Sequence, residues 1–131
     1  MSAESFQAAV LAGDESALRE VLAEDVVFRS PAVFKAYEGR KATMLVLRAV
    51  SNVFEDFHYE DRFEADDGEV LLFAARVGDR QLNGIDLLRF DDEGKVRELI
   101  VMIRPLSGLT ALVEAMASEL ERLGVPVPGR A

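Results

Sequence analysis

The sequence predicts an α+β domain on three observations. Apolar residues recur at helical spacing through the first third, the period changes to two after Phe54, and helical spacing returns after Ser107. With 131 residues, half of them hydrophobic, the chain is long enough for one self-sufficient core. We expect a single domain over 1–124, with 125–131 as a flexible tail.

Phe6, Ala9 and Val10 share one helical face, and Gly13 offers the left-handed conformation that ends a helix. Asp14 is placed to cap a second helix with Leu18, Val21 and Leu22 on its inward face. Val26-Val27-Phe28, β-branched and aromatic, reads as a short strand. Ser30-Pro31 breaks it, and a loop is expected through Phe34 and Tyr37 to Gly39. A third helix is predicted over 41–53, with Val46, Leu47 and Val50 facing inward. Phe57, Tyr59 and Phe63 then alternate with polar residues, the mark of a half-buried strand. Further strands are predicted over 70–77, 81–90 and 96–104, with turns at Asp66-Asp67-Gly68, Gly78-Asp79 and Asp91-Asp92-Glu93-Gly94. Ser107 is expected to cap a last helix bearing Leu112, Met116 and Leu120, which Gly124 and Pro126 stop. Segments 70–75 and 99–103 are apolar on both faces, so the sheet needs cover on both sides. Helices can cover one face; the other needs the C-terminal helix or a second subunit, and a homodimer through the outer face is expected.

Composition narrows the chemistry. A net charge of −9, with 15 scattered basic residues, argues against nucleic acid as partner. No apolar run approaches the ~18 residues of a membrane span, so no membrane partner is expected. The start, Met-Ser-Ala-Glu-Ser, lacks the charged and apolar parts of a secretion signal, and a cytoplasmic setting is expected. There is no cysteine, and His58 alone cannot complete a zinc site. No Gly-x-Ser-x-Gly elbow and no phosphate-cradling glycine pattern occurs. Neither metal nor cofactor is therefore expected.

The most informative residue is Asp86, a single carboxylate in the otherwise apolar run Ile85-Asp86-Leu87-Leu88. A carboxylate buried there costs several kcal/mol if it stays ionised and unpaired. It must be protonated, line a cavity, or pair with an arginine such as Arg76 or Arg104. Strand parity puts Asp86, Leu88 and Phe90 on one face and Ile85, Leu87 and Arg89 on the other. Phe34, Tyr37, Phe57, Tyr59 and Phe73 supply aromatic surface for a cavity. The two tyrosines stand out, because a buried hydroxyl needs a partner that a polar ligand can provide.

The order and spacing of several short motifs resemble the nuclear transport factor 2-like superfamily, of the ketosteroid isomerase and SnoaL-like polyketide cyclase type. They are Ala12-Gly13-Asp14 followed by Leu18, Ala23-Glu24-Asp25-Val26, Ser30-Pro31 with Gly39, and Ile85 to Phe90 running through Gly94-Lys95-Val96. The resemblance covers about residues 5 to 104. It implies N-terminal helices packed in a strongly curved, mostly antiparallel sheet, a cone with an internal cavity, followed by the C-terminal helix. Ketosteroid isomerase works with an Asp base and an oxyanion hole of a Tyr and a protonated Asp. Asp86 matches the protonated Asp, whereas Ser30 stands at the base position and Phe6 at the Tyr position. A serine hydroxyl is too weak a base to replace an aspartate unaided. The limonene-epoxide hydrolases of the same superfamily need an Arg and two Asp. Arg76 and Asp86 match two of these, and the second carboxylate is missing.

The function expected is a small-molecule-binding cavity protein, with Asp86 as its catalytic group. Phe6, Ser30, Phe34, Tyr37, Phe57, Tyr59, Leu88, Leu99 and Val101 are expected around the ligand. Its catalytic form would be a cofactor-free acid–base isomerase or cyclase acting on an apolar carbonyl-containing compound. A non-catalytic ligand-binding or protein-interaction module of the same fold is the alternative.

Overall fold

Switching the chain from helical to alternating periodicity produces two layers, which a computed structural model describes for residues 3–125. Helices α1 (Ala3–Ala12), α2 (Glu15–Val21), α3 (Arg40–Val53) and α4 (Leu106–Leu123) accompany strands β1 (Leu22–Arg29), β2 (Tyr37–Glu38), β3 (Glu55–Glu64), β4 (Gly68–Val77), β5 (Arg80–Phe90) and β6 (Val96–Arg104). The strands form one curled, unclosed sheet in the order β2-β1-β6-β5-β4-β3. Every neighbouring pair is antiparallel except β1 and β6, which run parallel. The expected α+β cone with a mostly antiparallel sheet is the observed architecture.

The helices start and stop where local chemistry dictates. Asp14 Oδ1 accepts from the Ala17 amide at 3.0 Å and caps α2. Gly124 adopts φ 70° at the end of α4, a left-handed cap. Phe6, Leu22, Val26, Leu71, Leu88, Leu99 and Val96 are all but fully buried in the main core. A second cluster gathers Phe73, Ala75, Leu82 and Leu112, tying α4 to the sheet. Contact there is close: a Cβ on Gly108 would lie 2.7 Å from the Gln81 carbonyl oxygen and 2.8 Å from Leu82 Cβ.

Several expectations need correction. The stretch expected as a loop around Tyr37 contains β2, whose Tyr37 lies opposite Phe28 and buries against it. β1 begins at Leu22 rather than Val26, because the Leu22 amide closes the last helical turn on Leu18 and the chain then extends. Pro105, not Ser107, holds the cap position of α4. It lacks the amide that a longer helix would need there. Gly68 is not the left-handed residue of its turn. It opens β4, where a side chain would strike the Leu88 carbonyl oxygen. Val125, assigned to the flexible tail, is 7% exposed, and its amide donates to Leu120 O at 2.9 Å; the rest of that tail lies outside the described residues. No helix among the described residues is long and apolar enough to cross a membrane.

Candidate functional site

β5 lies between β4 and β6, so its side chains are flanked on both sides along its length. Asp86 stands opposite Leu71 and Val101. Alternation turns Leu82, Gly84, Asp86 and Leu88 to the buried concave face, while Asn83, Ile85, Leu87 and Arg89 keep partial exposure. Between this face and the helices lies a cavity of about 770 Å³, into which Asp86 faces. Its walls are mainly apolar, with Phe6, Val46, Phe57, Phe73, Met116 and Leu120 among them. Asp86 is 8% exposed, and burial pushes its carboxyl up from 3.8 to about 7.

No hydrogen bond or ion pair to the Asp86 carboxylate forms among the described residues. The arginines considered for it are engaged elsewhere. Arg76 donates to Asp56 Oδ2 at 2.6 Å and to the Gly78 carbonyl, and Arg104 donates to Asn83 Oδ1 at 3.0 Å. Parity explains this, since both lie on the opposite strand face from Asp86. The residue that does sense Asp86 is Tyr59 of β3. Burial raises its phenol above the usual tyrosine range, and the Asp86 charge raises it further. Tyr59 Oη is buried and has no hydrogen-bond partner among the described residues.

An aromatic wall holds Tyr59 in place. The Phe57 ring stacks on Phe54 with centroids 5.6 Å apart and meets Tyr59 edge-on at 5.0 Å. Phe57 and Phe73 lie 5.3 Å apart, and Phe73 stands between Tyr59 and Gly84 in the sheet register. Gly84 is what admits the Phe73 ring: a Cβ there would sit 3.0 Å from Phe73 Cζ and against the Met102 carbonyl oxygen.

The structure brings most of the expected residues to this cavity. Phe6, Ser30, Tyr37, Phe57, Tyr59 and Val101 line it together with Asp86. Ser30 is no base: its hydroxyl oxygen accepts from the amides of Ala32 at 3.2 Å and Val33 at 3.1 Å. Tyr37 is buried, and burial raises its phenol. Three assignments fail on geometry. Phe34 is 100% exposed and outside the cavity, in a separate shallow groove that Ile100 and Met102 of β6 also line. Leu88 and Leu99 face each other across β5 and β6 but are fully enclosed in solid packing. His58 is a surface residue, its Nδ1 close to Asp56 O and its Nε2 3.7 Å from Glu60. Among the described residues no group of three His, Asp or Glu side chains is placed to hold a metal ion.

Sequence reasoning missed the contribution of α4, whose Leu112, Val113, Met116 and Leu120 complete the wall. Their helical spacing marked a buried face without saying what it faced. The polar rim also went unseen: Asp14, Glu15 and Arg48 line an exposed edge, with Arg48 Nε 3.6 Å from Glu15 Oε1.

Comparison with known proteins fits this arrangement. The SnoaL-like domain family model matches residues 3–99. The chain is 42% identical to a steroid Δ-isomerase from Pseudomonas aeruginosa, over 92% of this chain and 90% of that one, with a TM-score of 0.86. It is 32% identical to an uncharacterised protein with a cystatin-like fold from Silicibacter pomeroyi, over 89% and 83% of the two chains, with a TM-score of 0.85. A candidate SnoaL-like polyketide cyclase from Shewanella denitrificans shares the fold at a TM-score of 0.64 and 17% identity, over 92% and 94%. No curated protein matches the chain.

Proposed function

Because the chain belongs to the SnoaL-like domain family, we propose that it encloses an apolar, ring-bearing carbonyl compound and acts on it as a cofactor-free acid–base isomerase or cyclase. One observation carries this reading: Asp86 is buried in an apolar cavity with no arginine among the described residues to hold it ionised. Near neutral pH such a carboxyl keeps its proton often enough to donate it. Donated to a ligand carbonyl, that hydrogen bond strengthens as the oxygen gains charge on the way to an enolate, which lowers the barrier to moving an α-proton. Ser30 and Tyr37 are proposed as orienting hydroxyls at the same cavity. Similarity to a steroid Δ-isomerase supports a fused-ring ketone as substrate class.

A second reading, a non-catalytic binding module, draws on a specific observation. The Ser30 hydroxyl serves its own turn, and the carboxylates at the rim are engaged, Asp14 by the Ala17 amide and Glu15 by Arg48. Conversion of a β,γ-unsaturated ketosteroid to its conjugated isomer, followed by absorbance, separates the two. In that conversion a proton leaves the α-carbon, the double bond shifts, and the γ-carbon is protonated. Turnover that Asp86→Asn abolishes without unfolding the protein supports the enzyme. Tight binding without turnover supports the module, and wild-type behaviour of Asp86→Asn in both assays rejects the role of Asp86.

We further propose a homodimer through the convex sheet face. Leu72, Ile85, Leu87 and Ile100 keep partial exposure there, and Met102 is 55% exposed.

A further inference from the structure

Asp86 is not the only carboxylate that the sheet buries. Glu69 of β4 is 7% exposed, and alternation sets it on the same concave face as Leu71 and Phe73. It stands outside the cavity, two residues along β4 from Leu71, which lies opposite Asp86. Its Oε1 accepts from the Ala3 amide at 3.1 Å, across 66 residues of sequence. Ala3 opens α1, so a strand carboxylate satisfies an amide that a helix start leaves open, with the charge that suits that end of the helix. Glu69 Oε2 is also buried and has no hydrogen-bond partner among the described residues, with Arg62 Nε 3.6 Å away. Arg62 of β3 pairs in turn with Glu4 of α1 at 3.2 Å and with Glu64 at 3.6 Å. Two side chains of neighbouring strands thus fasten the start of α1 to the sheet.

The far end of α1 turns on Gly13, at φ 63° and with open space where a Cβ would stand. Between the two ends Phe6, Ala9, Val10 and Leu11 form one wall of the cavity. At ten residues α1 is too short to persist as a helix once detached, so its place depends on what holds it. We propose that α1 is the gate of the cavity, hinged at Gly13 and latched by Glu69 and Arg62, and that ligand enters and leaves when the latch releases. Glu69 is a positioning residue: it touches no ligand and sets how often the wall opens. This rests on the cavity being a ligand site, as proposed above, and adds the way in. A gate that is shut most of the time scales association and dissociation by one factor, because both pass through the open state, and leaves affinity unchanged. A residue that merely shapes the wall acts on affinity, chiefly through dissociation.

The test compares wild type, Glu69→Ala and Glu69→Gln. Glu69→Ala strands no charge, since Arg62 keeps Glu4 and Glu64, and Glu69→Gln keeps an acceptor for the Ala3 amide. Hydrogen exchange of the ligand-free protein reads the latch. In wild type the α1 amides of residues 7–12 should exchange faster than those of β5 and with little dependence on urea, as local opening does. In Glu69→Ala they should exchange about tenfold faster or more, the usual effect of losing a hydrogen bond to a charged group. Stopped-flow fluorescence with 2-naphthol, an apolar ring probe, reads the gate. Its association and dissociation rates should both rise about tenfold in Glu69→Ala, with affinity kept within about twofold, and Glu69→Gln should fall between. Exchange of α1 in step with β5, or at the wild-type rate in Glu69→Ala, overturns the inference. So do 2-naphthol rates that ignore the substitution, or an affinity lost through dissociation alone. In those cases 2-naphthol still binds, and only the gate is refuted. If wild type binds no 2-naphthol up to its solubility limit, the ligand site is refuted and the gate with it.

Discussion

Replacing Asp86 by Asn should reshape the pH dependence of stability, and the structure sets the size of the effect. In the native state burial holds the carboxyl at about 7, against 3.8 when exposed. Between those values the folded chain keeps a proton that the unfolded chain releases, so stability falls as pH rises through this window and levels off above it. The difference is about 3 pH units, worth on the order of 4 kcal/mol at 1.36 kcal/mol per unit. That is a large share of the roughly 5–15 kcal/mol by which a domain is stable. Asn carries no titrating proton, so its variant lacks this fall. Urea unfolding of both proteins by circular dichroism, from pH 4 to pH 8, isolates the effect. Subtracting one curve from the other cancels the remaining carboxylates and the global charge. The wild type should lose about 4 kcal/mol relative to the variant across the range. A gap that stays constant within about 0.5 kcal/mol, or that opens in the opposite direction, would show that the carboxylate is solvated or paired, and would refute the reasoning.

Three further expectations follow from local geometry. Gly108→Ala forces a Cβ to 2.7 Å from the Gln81 carbonyl and should cost about 1–3 kcal/mol in urea unfolding, with α4 loosened on the sheet. Asp14→Ala removes the acceptor that caps α2 and should cost about 1 kcal/mol, while Asp14→Asn retains most of it. Leu87→Glu places a charge on the convex sheet face and should turn a dimer into a monomer by light scattering, with the fold intact by circular dichroism. A wild-type chain that runs as a monomer at tens of micromolar would reject the proposed interface.

The features legible in the sequence were those set by local chemistry. Asp86 stands out as a lone carboxylate in an apolar run, and parity sets its face, because a period of two assigns faces without knowledge of the fold. Gly13 and Gly124 end helices with φ of 63° and 70°, as residues free of a Cβ do. What escaped depends on contacts distant in sequence. Leu88 shares the face of Asp86 but sits where the layers close, and alternation cannot distinguish solid packing from a void. Phe34 has the composition of a wall residue, yet it stands fully exposed in a separate groove beside β6. β2 is only two residues long, and Phe28 opposite it supplies the packing that a sequence window does not contain. The isolation of Tyr59 Oη required knowing everything within bonding distance, and no one-dimensional pattern reports that.

The matched family segment ends at residue 99, while the wall formed by α4 begins at Leu106. The aspartate and part of its apolar surroundings are therefore supplied by different stretches of chain. Shortening the wall residues of that helix, such as Met116 and Leu120, should let water nearer Asp86 and move its carboxyl down toward the ordinary range, with its own strand unchanged. Acid strength at Asp86 is thus set in part by residues distant in sequence. A sequence change far from the aspartate, in a piece that carries no reactive group, would be enough to turn a proton donor into a fixed negative charge.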